Sequence, residues 1–237
     1  MNAILITVFI IFLLFVFWRF LFFFRNPQRT STAAENAILS PADGYVLYVR
    51  YLDALDMEVF AIKNEKQIYL HELMLLRKSD LQFKSGWLIG IMMTPLDVHY
   101  NRSPIAGFIE KIAHEFPSNL KENLNMFPAL QNLFFKKEQP YEDCHYLIHN
   151  ERASYTITNN HLKVFVTQIA DQYVKKIVSY KTHDNISRGE VFGLIRMGSQ
   201  VDIFIPDTYG PVTVNVKERM HVKAGEEVIA WFGNQPL

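Results

Sequence analysis

The sequence lacks the features of several common functional classes. It has one cysteine among 237 residues, Cys144, so no disulfide framework can form within the chain. Its 24 Lys and Arg residues balance 24 Asp and Glu residues, which predicts no nucleic-acid partner. It has no His-Glu-x-x-His motif, no closed zinc-ligand spacing and no Gly-x-Ser-x-Gly elbow. We therefore predict no metal site and no α/β-hydrolase chemistry.

What the sequence does have, at its start, is a long apolar run. The 22 positions from Ala3 to Phe24 are interrupted only by Thr7 and Arg19, and about 20 apolar residues suffice for a membrane-spanning helix. A cleaved signal peptide would need a basic start, a shorter apolar core and a small-residue cleavage site, which this run lacks. We therefore favour an uncleaved anchor over residues 1–25.

Basic residues beside the run predict its orientation. Arg19, Arg25 and Arg29 lie at its C-terminal end, and no Lys or Arg precedes it. The positive-inside rule then places the rest of the protein in the cytoplasm, on the inner face of the cell membrane. Residues 26–237 are expected to form one domain, tethered to the anchor by residues 26–36.

The domain is predicted to be mainly β with minor α, an α+β fold. Runs that alternate or are rich in β-branched residues are typical of strands when turn residues separate them. Such runs cover residues 44–50, 155–158, 162–169, 201–205 and 212–216. Helical periodicity is found mainly in residues 119–136, where Pro128 interrupts it. We expect two short helices there, or a loop with one helix.

A weak internal repeat indicates how the strands are arranged. Ser40–Val46 and Ser103–Ile109 share the pattern Ser-Pro-x-x-Gly-aromatic-aliphatic. Such pieces suit a barrel-sandwich of folded-over hairpins, because Pro starts a strand and Gly permits a sharp turn. This architecture resembles the half-barrels of biotinyl and lipoyl carrier domains. A carrier typically presents a Met-Lys dipeptide at a hairpin tip, and none occurs here, so a carrier function is disfavoured.

The dipeptide Gly198-Ser199 lies between two apolar, β-branched runs within Gly193–Pro206. By itself a Gly-Ser dipeptide is typical of an ordinary turn. It gains a second interpretation from other landmarks that occur in a fixed order along the chain. These landmarks are Phe22–Arg29, Leu39–Gly44, Pro95–Gly107, Asn150–Arg152, Gln168–Ala170 and Gly193–Pro206.

With these landmarks the chain resembles the proenzymes of the phosphatidylserine decarboxylase family, in its shorter prokaryotic branch. The resemblance extends over nearly the whole chain except roughly residues 116–147. It implies a lyase of phospholipid biosynthesis that converts phosphatidylserine to phosphatidylethanolamine at a membrane. Loss of the substrate's carboxylate leaves a carbanion, which needs an electron sink.

The resemblance implies that this electron sink is a pyruvoyl group made from Ser199, which would hold the substrate amine as a Schiff base. The Ser199 hydroxyl would attack the Gly198 carbonyl, and the resulting ester would eliminate to dehydroalanine and hydrolyse to the pyruvoyl group. Self-cleavage would give a β chain of residues 1–198 and an α chain of residues 199–237. The two chains are expected to stay associated.

The resemblance also assigns roles to side chains. Asp43 is expected to activate or orient groups during maturation, although Asp43-Gly44 also suits a simple turn. His99 is expected to transfer protons with a pKa near neutrality, although it also suits a structural strand histidine. Arg102 or Arg196 is expected to bind the substrate phosphate, and either also suits an ordinary surface charge.

Several positions depart from the longer family members. Arg102 replaces a second histidine, Gln200 replaces the threonine after the serine, Met197 replaces a phenylalanine, and Asp171 replaces a glycine. Residues 116–148 form a longer stretch than the family's, which suits a membrane-facing flap or a surface insertion. Two other functions stay open: a membrane-tethered carrier- or adaptor-like half-barrel in which Gly198-Ser199 is an uncut turn, and an inactive homologue that no longer matures.

Overall fold

The structure is a computed structural model. It describes residues 2–53, 58–61, 67–78, 83–117, 124–135, 145–172, 176–196 and 199–233. Cys144, Met197 and Gly198 lie outside these ranges, as does part of the 116–148 stretch.

The apolar run at the start forms a helix that is long enough to cross a membrane. Helix α1 spans Asn2–Val16 and continues as a π-helical segment, Phe17–Phe22. The 20 residues Ala3–Phe22 have a mean hydropathy of 2.8, and none of them is buried in the protein. Phe23, which we predicted to belong to the anchor, is instead fully buried in the body. The apolar helix therefore ends about two residues earlier than the sequence indicates.

The body is mainly β, as predicted. Its strands are β1 (Ala37–Leu39), β2 (Gly44–Leu52), β3 (Glu58–Ala61), β4 (Gln67–Tyr69), β5 (Gly86–Met93), β6 (Tyr100–Arg102), β7 (Gly107–Glu115), β8 (Arg152–Thr158), β9 (Lys163–Ala170), β10 (Ile177–Ser179), β11 (His183–Ile186), β12 (Val191–Ile195), β13 (Ser199–Pro206), β14 (Val212–Val214), β15 (His221–Val222) and β16 (Val228–Phe232). The short helices are α2 (Leu70–Leu73), α3 (Phe127–Phe135) and α4 (Tyr146–His149).

The main sheet has eight antiparallel strands in the order β11-β7-β8-β9-β13-β5-β2-β15. Strand β13 lies between β5 and β9, and every residue of β13 is buried. Three-stranded sheets β1-β16-β14 and β10-β12-β6 and the hairpin β3-β4 complete the described strands. The five predicted runs correspond to β2, β8, β9, β13 and β14. The sequence prediction missed β5, because a strand covered on both faces is an unbroken apolar run without alternation.

The internal repeat is present in the structure. The Ser40 hydroxyl donates to the Ala42 carbonyl at 2.7 Å, and the Ser103 hydroxyl donates to the Ile105 carbonyl at 2.6 Å. In each turn, the backbone N–H of the residue before the serine donates to the proline carbonyl of the other turn, at 2.9 and 3.0 Å. The two Ser-Pro-x-x-Gly turns are therefore equivalent and hold each other in place.

Within the described residues, the 119–136 region contains one helix, α3. Pro128 is its second residue rather than a break in it. The first helical turn tolerates proline, because its backbone N–H groups have no partner inside the helix.

Candidate active site

Ser199 is the first residue of β13 and is 2% exposed. Its backbone pairs with Met93 at the end of β5 and with Ala170 at the end of β9. Its hydroxyl oxygen lies 3.0 Å from Sδ of Met93, a weak acceptor. The side chain lines a small, mainly apolar pocket of about 80 Å³, together with Met92, Met93, Pro95, Met126, Phe127 and Asp171. A buried serine is thus held at the centre of the sheet, directly after the predicted cleavage position.

Asp43 is buried and accepts hydrogen bonds from several directions. Its carboxylate receives the Arg29 guanidinium on both oxygens, with Nη2 at 2.8 Å from Oδ2. It also accepts from the backbone N–H of Ala224 at 2.8 Å and, at 3.4 Å, from that of Val98. The equivalent residue of the second repeat is Ala106, which makes the same turn without a carboxylate. The turn by itself therefore does not require Asp43.

His99 is fully buried and is hydrogen-bonded through one ring nitrogen. Nδ1 lies 2.9 Å from the Asp97 carbonyl oxygen, which only accepts, so Nδ1 carries the proton. Nε2 is buried and has no hydrogen-bond partner among the residues that the structure describes. The ring packs on Phe23 with centroids 4.2 Å apart. Burial lowers the pKa of His99 to about 4, so the pKa near neutrality that we predicted is wrong, and the ring is neutral at pH 7.

Asp43, His99 and Ser199 come to one corner of the fold, but they do not form a hydrogen-bonded triad in the described part of the chain. The Asp43 carboxylate accepts from the backbone N–H of Val98, beside His99, while the His99 ring donates to the Asp97 carbonyl. The His99 carbonyl accepts from the Ile195 N–H at 3.2 Å, and Ile195 precedes Ser199 by four residues. The segment expected to be cleaved therefore starts beside His99.

Two amides that the sequence analysis did not single out lie beneath Ser199. Gln168 donates to Asn101 Oδ1 at 2.6 Å, and Asn101 Nδ2 lies 3.8 Å from the same Met93 sulfur that contacts Ser199. Gln168 Oε1 is buried and has no hydrogen-bond partner among the described residues. A Cβ at Gly193 would lie 2.7 Å from Gln168 Nε2, so a larger residue at position 193 would displace the Gln168 amide. Both amides belong to the sequence landmarks, which was the signal that could have identified them.

Residues 23–29, here called the strap, join the apolar helix to this corner. Arg102 donates to Asn26 Oδ1 at 2.6 Å, to the Pro27 carbonyl at 2.8 Å and to the Gly189 carbonyl at 2.9 Å. Its side chain is buried, and burial lowers its pKa. The phosphate-binding role predicted for Arg102 is therefore not supported by its position, because its terminal Nη1 and Nη2 groups bind the protein itself. Arg196, in contrast, is exposed beside the cleavage segment.

Gln200, the residue that departs from threonine, is part of a buried polar network. Its Oε1 accepts from the Tyr146 hydroxyl at 2.8 Å, and its Nε2 lies 2.7 Å from Asp202 Oδ1. The Tyr48 hydroxyl donates to Asp202 Oδ2 at 2.6 Å. Burial raises the pKa of Asp202 to about 7. Glutamine at position 200 thus satisfies buried polar groups that a threonine is too short to reach.

The sequence model of the family described as phosphatidylserine decarboxylase matches residues 16–230. The chain belongs to this family. The match begins within the apolar helix and includes Asp43, His99 and Ser199, so the whole corner described above lies inside the family's region.

Individual relatives agree with this assignment. A protein of Methanocaldococcus jannaschii, provisionally named an archaetidylserine decarboxylase proenzyme, is 35% identical over 211 residues, 88% of this chain and 87% of its own length. The phosphatidylserine decarboxylase proenzyme of Prosthecochloris aestuarii is 31% identical, over 90% of this chain and 77% of its own. That of Chlorobium limicola is 30% identical, over 94% and 84%.

Proposed function

We propose that this chain is a membrane-anchored proenzyme that cleaves itself between Gly198 and Ser199 and then decarboxylates phosphatidylserine to phosphatidylethanolamine. The observation that carries the proposal is the position of Ser199, buried at the start of a central strand and lining a pocket, in a chain of this family. The substrate follows the names of the relatives from Prosthecochloris aestuarii and Chlorobium limicola.

The residues around Ser199 fit a pyruvoyl group derived from it. The backbone of β13 is paired on both sides, with Met93 and Ala170, so a group at the start of this strand would be held rigidly. The pocket beside Ser199 has a volume of about 80 Å³ and gives a small reacting headgroup room to approach. When present, the group supplies the electron sink for loss of a carboxylate next to an amine-bearing carbon.

His99 is the candidate base for maturation. The serine hydroxyl is a weak nucleophile and must lose its proton as it attacks the Gly198 carbonyl. A neutral imidazole with Nδ1 protonated and Nε2 unpartnered is in the form that accepts a proton. Asp43, paired with Arg29, stabilises the backbone on which His99 lies rather than bonding to the ring.

The apolar helix supports a single-pass anchor in the cell membrane with the catalytic domain on its cytoplasmic side. The positive-inside argument rests on Arg19, Arg25 and Arg29. The reciprocal Ser-Pro turns support the interpretation of the body as half-barrel hairpins like those of biotinyl and lipoyl domains. Arg196 remains the candidate for contact with the lipid phosphate, because it is exposed beside the cleavage segment.

Denaturing gel electrophoresis and mass spectrometry of the purified full chain test the proposal. We expect fragments of residues 1–198 and 199–237, the second with a carbonyl at a blocked N-terminus. Ser199→Ala should stay uncut and inactive. Ser154→Ala, which changes another buried strand serine, should still be cut. An intact wild-type chain with unmodified Ser199 would contradict the proposal and favour the uncleaved homologue.

The lipid backbone is tested separately by measuring carbon dioxide release from two substrates. Phosphatidylserine is the expected substrate, and archaetidylserine is the comparison because one relative carries that lipid in its name. Faster turnover of archaetidylserine would support the proposed decarboxylation but would show that archaetidylserine, and not phosphatidylserine, is the preferred substrate.

A further inference from the structure

Helix α3 leaves large apolar side chains uncovered. One side of the helix packs into the body through the buried residues Ala129 and Leu133, and Met126, immediately before the helix, is also buried. Elsewhere on the helix, Phe127 is 54%, Phe134 50% and Phe135 72% exposed. Single exposed apolar residues are ordinary, but a contiguous group of phenylalanines on one short helix indicates an interaction surface.

One of these phenylalanines, Phe127, lines the pocket of Ser199. Met126 and Pro95 line the same pocket. Leu96, the residue after Pro95, is 66% exposed, and its carbonyl accepts a hydrogen bond from Arg25 at the end of the apolar helix. We call Leu96, Phe127, Phe134 and Phe135 the lip. The lip therefore occupies the corner where the apolar helix meets the body.

A chain of ring contacts joins the far end of α3 to the same corner. Phe134 packs edge-on against Tyr45 with centroids 5.0 Å apart, and Tyr45 packs against His221 at 4.8 Å. His221 Nε2 lies 2.8 Å from Asp97 Oδ1, in the turn that also carries Leu96. Phe134 is thus connected through Tyr45 and His221 to the turn that carries Leu96.

Asp171 fixes the lip to the catalytic strands. Its Oδ1 accepts the backbone N–H of Met126 at 2.9 Å, immediately before α3 begins. Asn150 holds the chain two residues earlier, by exchanging hydrogen bonds of 2.8 and 2.9 Å with the backbone of Leu124. Asp171 directly follows Ala170, the strand partner of Ser199. This contact gives a reason for aspartate where the resembling pattern has glycine, since glycine cannot bind α3.

We propose that the lip lies in the headgroup region of the bilayer and that the lipid substrate reaches Ser199 by passing it. The occupant is the membrane rather than another protein because the apolar helix ends at this corner, so the bilayer surface lies beside the lip. The sequence also places Lys136 and Lys137 directly after α3, which suits anionic headgroups. The inference rests on the proposed membrane anchoring.

Fluorescence quenching tests the contact without relying on enzyme activity. The full chain carrying Phe135→Trp is reconstituted into phosphatidylcholine–phosphatidylserine vesicles with brominated acyl chains, and wild-type emission is subtracted. We expect most of the added emission to be lost. The matched control is Tyr209→Trp, which is 52% exposed and follows the far end of β13, a strand of eight residues that spans about 25 Å at about 3.3 Å per residue. Its added emission should be unchanged.

A second variant tests the consequence for turnover. Phe135→Ser should cleave itself like the wild type and act normally on dispersed short-chain phosphatidylserine, yet turn over vesicle phosphatidylserine several-fold more slowly. Tyr209→Ser should match the wild type on both. An equal loss on both forms of the lipid would show that residue 135 acts on folding or chemistry, and would overturn the inference.

Other outcomes separate this inference from the proposed function. Absence of self-cleavage in the wild type would contradict the proposed function, while quenching of Phe135→Trp would still establish that the lip contacts the membrane. Absence of quenching in vesicles would overturn this membrane contact even if the enzyme is active. If quenching is absent and Phe135→Ser converts a detergent-solubilised dimer into a monomer, the surface is a contact between two copies of this chain.

Discussion

Asp43 and Arg29 form a buried pair whose side chains are 6% and 5% exposed. The hydrogen bonds that Arg29 donates to Asp43 raise the pKa of Arg29, so the guanidinium stays charged at neutral pH. Ala106 makes the corresponding turn without a carboxylate, which indicates that the pair serves the corner around His99. Arg29 belonged to the tether in the sequence analysis, because nothing local indicates that it reaches a residue fourteen positions away.

Replacing one member of this pair should be more damaging than replacing both. Arg29→Met leaves an uncompensated buried carboxylate and should lower the free energy of unfolding by about 3–5 kcal/mol. Arg29→Met combined with Asp43→Asn should recover much of this loss. Thermal unfolding in detergent measures the loss of stability in each variant. Arg188→Met is the control, because its guanidinium bonds only to backbone carbonyls of the chain near Ala34; equal losses in all three variants would contradict the coupling.

The buried His99 should make the free energy of unfolding depend on pH. Its pKa is about 4 in the folded protein and near 6.5 unfolded. Between these values the unfolded chain binds more protons, so the free energy of unfolding decreases as the pH falls from 6.5 to 4, by about 3 kcal/mol in total. In His99→Gln this part of the acid sensitivity should vanish. Unfolding midpoints against pH test this, with exposed His183→Gln as the control; identical slopes for His99→Gln and wild type would refute it.

Among the elements, the strap links the apolar helix to the candidate active site. Phe23 is fully buried and packs on the His99 ring, so the residue after the apolar helix shields the candidate base from water. Arg25 and Arg29 then bind the Leu96 carbonyl and Asp43. The packing of the strap against the body therefore sets both the protonation state of His99 and the charge balance at Asp43.

Opening the strap should change the pH profile of maturation. Phe23→Ala removes the ring on His99 and admits water, so the pKa of His99 should rise from about 4 towards 6.5. The pH at which self-cleavage reaches half its maximal rate should rise with it. Phe20→Ala, in the exposed part of the apolar helix, is the control and should leave this midpoint unchanged. An unshifted midpoint in Phe23→Ala would show that Phe23 does not control the base.

At the scale of the whole molecule, the predicted α chain, residues 199–237, contributes strands to two sheets. Strand β13 pairs with β5 and β9, β15 pairs with β2, and β16 pairs with β1. Cutting the bond before Ser199 breaks none of these ladders. The cleaved chains are therefore expected to remain one folded unit.

Size-exclusion chromatography in mild detergent tests this expectation. The cleaved wild type and uncut Ser199→Ala should elute at the same volume, and the two fragments of the wild type should separate only after denaturation. A free fragment of residues 199–237 under native conditions would contradict the expectation.

Much of this protein was predictable from patterns close together in the sequence. The apolar helix, five strands, the Ser-Pro repeat and Gly198-Ser199 are local signals, and the structure places each predicted strand where its pattern lies. Strand β5 was missed because burial on both faces removes alternation. The helical character of residues 127–135 was visible, but whether Pro128 would begin or break the helix depended on where its first turn starts.

The sequence by itself determined the family, the apolar helix and the candidate serine, because these depend on composition, order and neighbouring residues. Only the tertiary structure decided that Asp43 pairs with Arg29, that His99 is neutral beneath Phe23, that Arg102 binds the strap, and that Asp171 holds α3 beside Ser199. Each of these depends on residues distant along the chain being brought into contact and removed from water. Burial and pairing set charge and protonation, and the order of residues does not reveal either.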